Sequence, residues 1–279
     1  MLPGEPVPAL VVGVLNVTPD SFSDGGRFPS VDDAVAAAVA MVEAGADWID
    51  LGGESTRPGS SPVAEAEEIA RVCPVIARLA PMVAGRARIC VDTYKSGTAK
   101  AALAAGATVV NDVSGGLLDP ELPAVAARAG AAVVLGHLRG APADMMQNVL
   151  FGDVVREVVD ELLSRIDAAR AAGCTEIWAD PGVGFGKHLN HNLELLRRLP
   201  ELCAALAVPV MVGVSRKRFL GEITGKPPTG RAFGTAAAVT VAILGGAAAV
   251  RVHDVAEMVD VARVANAIGP ANCGYMRRS

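Results

Sequence analysis

The sequence predicts an α/β protein, a single-domain (β/α)8 TIM barrel, and three observations carry that prediction. Apolar runs recur along the chain as VVGVLNV, DWIDLGG, ARICVDT, TVVNDV, AAVVLGH, EIWADPG, PVMVGVS and AVRVHD, eight in all, each followed by a plausible helix. Several segments share one grammar of Ala-rich helix, small turn and short strand, as in MVEAGADWIDLGG and KAALAAGATVVNDVSGG. The runs are short and largely unalternating, as expected of strands buried on both faces, and strict alternation of strand and helix implies right-handed parallel crossovers.

Taken in order, VVGVLNV ends at Asn16 and leads into NVTPDSFSDGGRFPS, a Gly- and Ser-rich loop expected to be mobile over about residues 17–30. Ser30 can cap the first helix with Asp33 in the capping-box position, and Val35, Val39 and Val42 fall on one face. The second run gives way to GGESTRPGSSPVA, a second polar loop expected to move over about residues 53–63. The third, fourth and fifth runs stop at Asp92, Asn111 and His137, the sixth at Asp180, the seventh at Ser215 before SRKRF, and the eighth at Arg251 and His253. The Ala-rich stretch over residues 235–250 resembles a membrane span. Gly245-Gly246 interrupts it, so a buried helix running into a buried strand is expected instead.

The composition limits the partners. With 279 residues, 51% of them hydrophobic, and a net charge of -5, the chain can bury a large core but lacks the clustered cations that nucleic acid or a membrane surface demands. No export signal is evident in MLPGEPVPAL. Five cysteines without a C-x-x-C pair suit reduced thiols, so a cytoplasmic protein is expected.

DPGVGFGKHLNHN looks like a phosphate-binding loop, but only three residues separate Gly182 from Gly186 and His188 follows Lys187, so the hydroxyl ligand for magnesium is missing. The chemistry of a barrel lies at the strand ends, and there the sequence places Asn16, Glu54, Asp92, Asn111, His137, Asp180, Ser215, Lys217, Arg251 and His253. Asp92, Asn111 and Asp180 ask for a donor-rich ligand; a fused aminopyrimidine fits, unless Asp180 caps the backbone ahead of it. Arg251 and His253 project to one side and with Asn16 can hold a phosphate or pyrophosphate; alternatively Arg251 pairs with an inward acid such as Asp50. Lys217 stands between the two halves.

These residues and the motifs GVLNVTPDSFSDGG, DLGGESTRPG, VDTYKSGTA, NDVSGG, DPGVGFGKHLNHN, GVSRKRF and RVHDV together resemble the dihydropteroate synthases. The resemblance implies a homodimeric transferase of folate biosynthesis, a sulfonamide target, joining 6-hydroxymethyl-7,8-dihydropterin pyrophosphate to p-aminobenzoate by an SN1-like route. It implies that Asp92, Asn111, Asp180 and Lys217 hold the pterin, and that Arg251, His253 and Asn16 receive the pyrophosphate, with Asn16 on its Mg2+. Thr56, Pro58, Phe185 and Ser215 would border the p-aminobenzoate, and Phe22, Asp24 and Arg57 would belong to the lids. Asp92, Asp180, Lys217 and Arg251 would carry the catalysis. His188, Leu138 and Arg218 depart from the family pattern, which puts affinity and drug response in question rather than activity.

Overall fold

The described residues of the computed structural model form eight strands: β1 (Leu10–Asn16), β2 (Trp48–Gly52), β3 (Arg88–Asp92), β4 (Val109–Asp112), β5 (Ala132–Gly136), β6 (Ile177–Asp180), β7 (Met211–Gly213) and β8 (Ala249–Val252). The structure describes residues 8–18, 30–56, 59–147 and 149–269. All strand pairs are parallel, and the order β6-β5-β4-β3-β2-β1-β8-β7 follows the chain around the barrel. Closure between β6 and β7 rests on a single bridge, Ala179 to Val210, with Ala179 N–H donating to Pro209 O at 3.0 Å.

The helices that separate the strands are α1 (Val31–Glu43), α2 (Glu65–Val83), α3 (Ser96–Ala105), α4 (Leu122–Arg128) and α5 (Val154–Ala171), followed by α6 (Leu189–Arg197), α7 (Leu199–Leu206), α8 (Arg218–Thr224), α9 (Ala232–Leu244) and α10 (Val255–Ile268). Ser30 caps α1 in the expected reciprocal pair with Asp33. Two crossovers differ from the simple repeat. Between β6 and β7 the helix breaks at Arg198, where Pro200 lies in the first turn of a new helix and cannot donate to a preceding turn. Between β7 and β8 the short α8 precedes α9, which leads through a Gly245-Gly246 turn into β8, as the Ala-rich stretch suggested.

Two cores position the site. Most apolar side chains lie between sheet and helices, while Val12, Trp48, Cys90, Val109, Ala132, Val134, Trp178, Met211 and Ala249 fill the barrel interior. Trp48 and Trp178 meet edge to face at 4.9 Å across that interior. This plug closes the N-terminal half, so the inward residues two positions further along each strand form the floor of an open basin.

Candidate active site

The basin is built by strand phase. Cys90 is inward, and so is Asp92; Val109 leads to Asn111, Trp178 to Asp180, Ala249 to Arg251. Asn16, Gly52, Asp92 and Asn111 lie on one rung across four adjacent strands. Gly52 leaves a gap in that rung: a side-chain carbon there would stand 3.6 Å from Asn16 Oδ1 and 3.7 Å from Asp92 Oδ2. Gly213 does the same on β7, where such a carbon would lie 3.6 Å from Lys217 Nζ and 3.8 Å from Asp180 Oδ2. Two inward glycines thus keep room for a ligand between facing polar groups.

One guanidinium serves two carboxylates. Arg251 Nε donates to Asp50 Oδ2 at 2.5 Å and Nη2 to Asp92 Oδ2 at 2.6 Å, while Asn111 Nδ2 donates to Asp50 Oδ2 at 3.1 Å. The pairing of Arg251 with Asp50, weighed above as the alternative to anion binding, is therefore made; Nη1 has no hydrogen bond among the described residues. Burial, with Asp50 beside it, pushes Asp92 up to about 7 despite the pull of Arg251, because two acids share one cation. Asp50 Oδ1, fully buried, has no partner among the described residues.

Asp180 accepts Gly182 N–H through Oδ1 at 2.7 Å, as a capping acid would, and leaves Oδ2 on the Gly213 side of the basin. Burial pushes its carboxyl up and Lys217 opposes the shift. Burial likewise draws Lys217 down to about 8, while Asp180 pulls it back. The Lys217 ammonium donates to Val183 O and lies 4.3 Å over the Phe185 ring, so the loop after β6 holds this lysine. Arg216 just before it adopts a left-handed φ of 57°, held by Asp254 and by Thr235, which accepts its N–H at 3.2 Å.

Ser215 is buried, and its hydroxyl faces His253, accepting the backbone N–H at 3.1 Å and lying 3.0 Å from Nδ1. Its tie to the site therefore runs through the imidazole. Thr56 is half-buried at the stem of the second loop; Phe22, Asp24, Arg57 and Pro58 lie outside the described residues.

Two strand-end expectations are corrected. Glu54 follows the end of β2, and its carboxylate turns sideways to accept Lys95 Nζ at 2.5 Å, Tyr94 Oη at 2.6 Å and Val63 N–H at 2.9 Å. Lys95 also donates to Val63 O and Glu68, each at 2.7 Å, so this clasp closes the stem of the second loop. His137 is fully buried and out of phase with the inward Val134 and Gly136; it faces Lys187 and Glu161 behind the sheet. The inward Gly52 and Gly213 were missed, although counting in twos from Asp50 and Met211 would have found them.

Residues 12–253 match the family described as pterin binding enzyme, which sets the class of this barrel. The Mycobacterium leprae dihydropteroate synthase is 46% identical over 93% of both chains. A structure of the Xanthomonas albilineans dihydropteroate synthase with 4-aminobenzoic acid superposes with a TM-score of 0.86 at 45% identity, covering 94% of this chain and 93% of that one. The Yersinia pestis enzyme, solved in a sulfonamide drug complex, gives 0.87 at 40% identity, covering 93% and 94%. The chain spans about half, 49%, of an Arabidopsis thaliana bifunctional folate synthesis protein that it matches at 42% identity. Within the pterin-binding class, the chain belongs to the dihydropteroate synthase family.

Proposed function

We propose that the chain condenses 6-hydroxymethyl-7,8-dihydropterin pyrophosphate with p-aminobenzoate, yielding 7,8-dihydropteroate and pyrophosphate in folate biosynthesis. The observation that carries this reading is the ring of Asp92, Asn111, Asp180 and Lys217 around a floor opened by Gly52 and Gly213. A pterin presents adjacent ring and exocyclic N–H groups to a carboxylate and carbonyl and ring-nitrogen acceptors to an amide or ammonium, which is the complement of that ring.

The chemistry follows from these residues. The methylene C–O bond to pyrophosphate breaks, the electron pair leaves with the oxygen, and the aryl amine supplies the new C–N bond and releases one proton. An aryl amine is neutral at pH 7 and needs no strong base. Asp92 and Asp180 favour positive charge developing on the pterin, while Arg251 and His253 favour the departing anion. The loops after β1 and β2 exclude water that would capture the cation. Thr56 and Phe185 border the aryl amine, whose place a sulfonamide would take competitively.

Mg2+ needs few protein oxygens, since it keeps waters and binds substrate phosphates. Among the described residues there is no group of three or more His, Cys, Asp or Glu that could hold a metal, but the Asn16 amide oxygen beside Asp92 meets that sparse requirement. Asn16 would hold the ion, which when bound neutralises charge on the leaving pyrophosphate.

We place a second copy against α9 and α10, where Phe233, Val241, Leu244, Val264 and Ile268 are exposed. No described helix is long and apolar enough to cross a membrane, and four described cysteines are free thiols, which supports a cytoplasmic location. The test of the function is dihydropteroate formation from the two substrates. A folded protein that binds the pterin ester yet forms no dihydropteroate would overturn it.

A further inference from the structure

The loop at residues 182–187 has the glycine spacing of an anion cradle with its polarity reversed. Gly182, Gly184 and Gly186 all take left-handed φ, at 65°, 86° and 57°. Carbonyls rather than N–H groups turn inward, and what they surround is the chain's own Lys187. This lysine is 3% exposed, and its Nζ lies 3.0 Å from both Gly182 O and Phe185 O and 2.9 Å from His137 Nδ1. No side chain fits at Gly182, where a carbon would come within 2.0 Å of His137 O.

Proton accounting fixes the charge. His137 Nε2 stands 3.1 Å from Glu161 Oε2, and a carboxylate there requires a proton on that nitrogen. A neutral imidazole then offers Nδ1 as an acceptor, so all three close partners of Nζ are acceptors and the lysine must supply three N–H donors. Moving the proton onto the imidazole would satisfy the same contacts, but lysine is intrinsically the stronger base by about four pKa units. Burial pulls Lys187 well below the usual lysine range, but burial and the neighbouring Lys187 charge also hold His137 down to about 3, so the three acceptors around Nζ, rather than any gain in basicity, keep the proton on the lysine.

The outer side of this loop is the substrate site. Val183 O accepts the Lys217 ammonium, Phe185 lies beneath it, and a side chain at Gly184 would strike Lys217 Cδ at 2.7 Å. We propose that Lys187 is a positioning residue: its buried ammonium is the internal cation around which this loop folds, and it thereby sets Val183 and Phe185 against Lys217 and the aryl amine. The consequence for catalysis rests on the functional reading above; the consequence for loop order does not.

The test compares Lys187→Met, Lys187→Ala and a control, Lys100→Ala, on the exposed side of α3. Hydrogen exchange at Gly184 and Phe185, whose amides bond to Asn192 Oδ1 and Gly182 O, should accelerate in both Lys187 variants and not in the control. KM for p-aminobenzoate should rise on the order of 10- to 100-fold with a smaller change in kcat, as misplacement of a binding wall predicts. Added propylammonium should restore slow exchange and low KM to Lys187→Ala, but not to Lys187→Met, whose side chain fills the space. In the wild-type protein, nitrogen NMR should show His137 as the Nε2–H tautomer. Native exchange and KM in the variants would overturn the proposal, as would an Nδ1–H tautomer; the tautomer decides alone if neither variant folds. A wild type that makes no dihydropteroate would sink the functional reading while the exchange and tautomer results still judge the loop.

Discussion

Asp180→Asn changes one oxygen to an amide and leaves the rest of the site in place. Oδ1 must remain an oxygen because it accepts Gly182 N–H at 2.7 Å, so the new NH2 falls at Oδ2, on the basin side near Lys217. A carboxylate that accepts two pterin N–H groups loses both charge-assisted bonds there, at about 1.5–3 kcal/mol each, or about 3–6 kcal/mol together. That corresponds to a loss of roughly 10²- to 10⁴-fold in affinity. The fold should tolerate the change, since burial already opposes the Asp180 charge and the Gly182 bond survives. Calorimetric titration of 7,8-dihydropterin into wild type and variant, with thermal melts of both, is the assay. Affinity retained within a few-fold, in a variant that melts normally, would refute the assignment of Asp180 to the pterin.

Three further outcomes follow from the geometry. Arg251→Lys keeps one charge between Asp50 and Asp92 but not the two-armed contact, so pyrophosphate-ester binding should weaken by about 10-fold or more while bare pterin binding changes less; parallel titrations of the two ligands check this, and equal losses would contradict it. Asp92 has a folded-state pKa raised from 3.8 to about 7, so its contribution to stability is fully present below the lower value and is lost as pH rises through the upper one. Asp92→Asn should therefore gain stability relative to wild type as pH climbs through that window, measured by denaturant melts, and a constant difference would count against the shift. Lys95→Met strands the buried Glu54 and Glu68 carboxylates and should cost about 3–5 kcal/mol; chemical denaturation reads it directly, and a loss under about 1 kcal/mol would count against the clasp.

Much of the fold was legible because each strand is buried on both faces and ends abruptly in a polar residue. Asp92, Asn111, Asp180 and Arg251 were legible as strand-end residues, and strand phase carries each into the basin, two residues beyond an interior apolar residue. The same phase, counted from Val134, puts His137 on the outer face, and it does not reach Glu54, where β2 has ended and the pleat no longer directs the side chain. The partners of Arg251 depended on reach across the barrel. Asp50 and Asp92 come within its span only because β8 closes against β1, and no local pattern encodes that distance. The glycines of residues 182–186 give the stretch its likeness to a phosphate-binding loop, whereas their left-handed backbone wraps Lys187, a contact that depends on burying the lysine's whole stem.

The most direct test of the account is the ratio of pyrophosphate released to dihydropteroate formed, measured with Mg2+ in the presence and absence of p-aminobenzoate. The site described here predicts release that depends on the amine and matches dihydropteroate one for one, because the reaction proposed above passes the pterin methylene to the aryl amine and not to water. Release that proceeds equally without the amine, or without dihydropteroate, would contradict transfer to an aryl amine at this site.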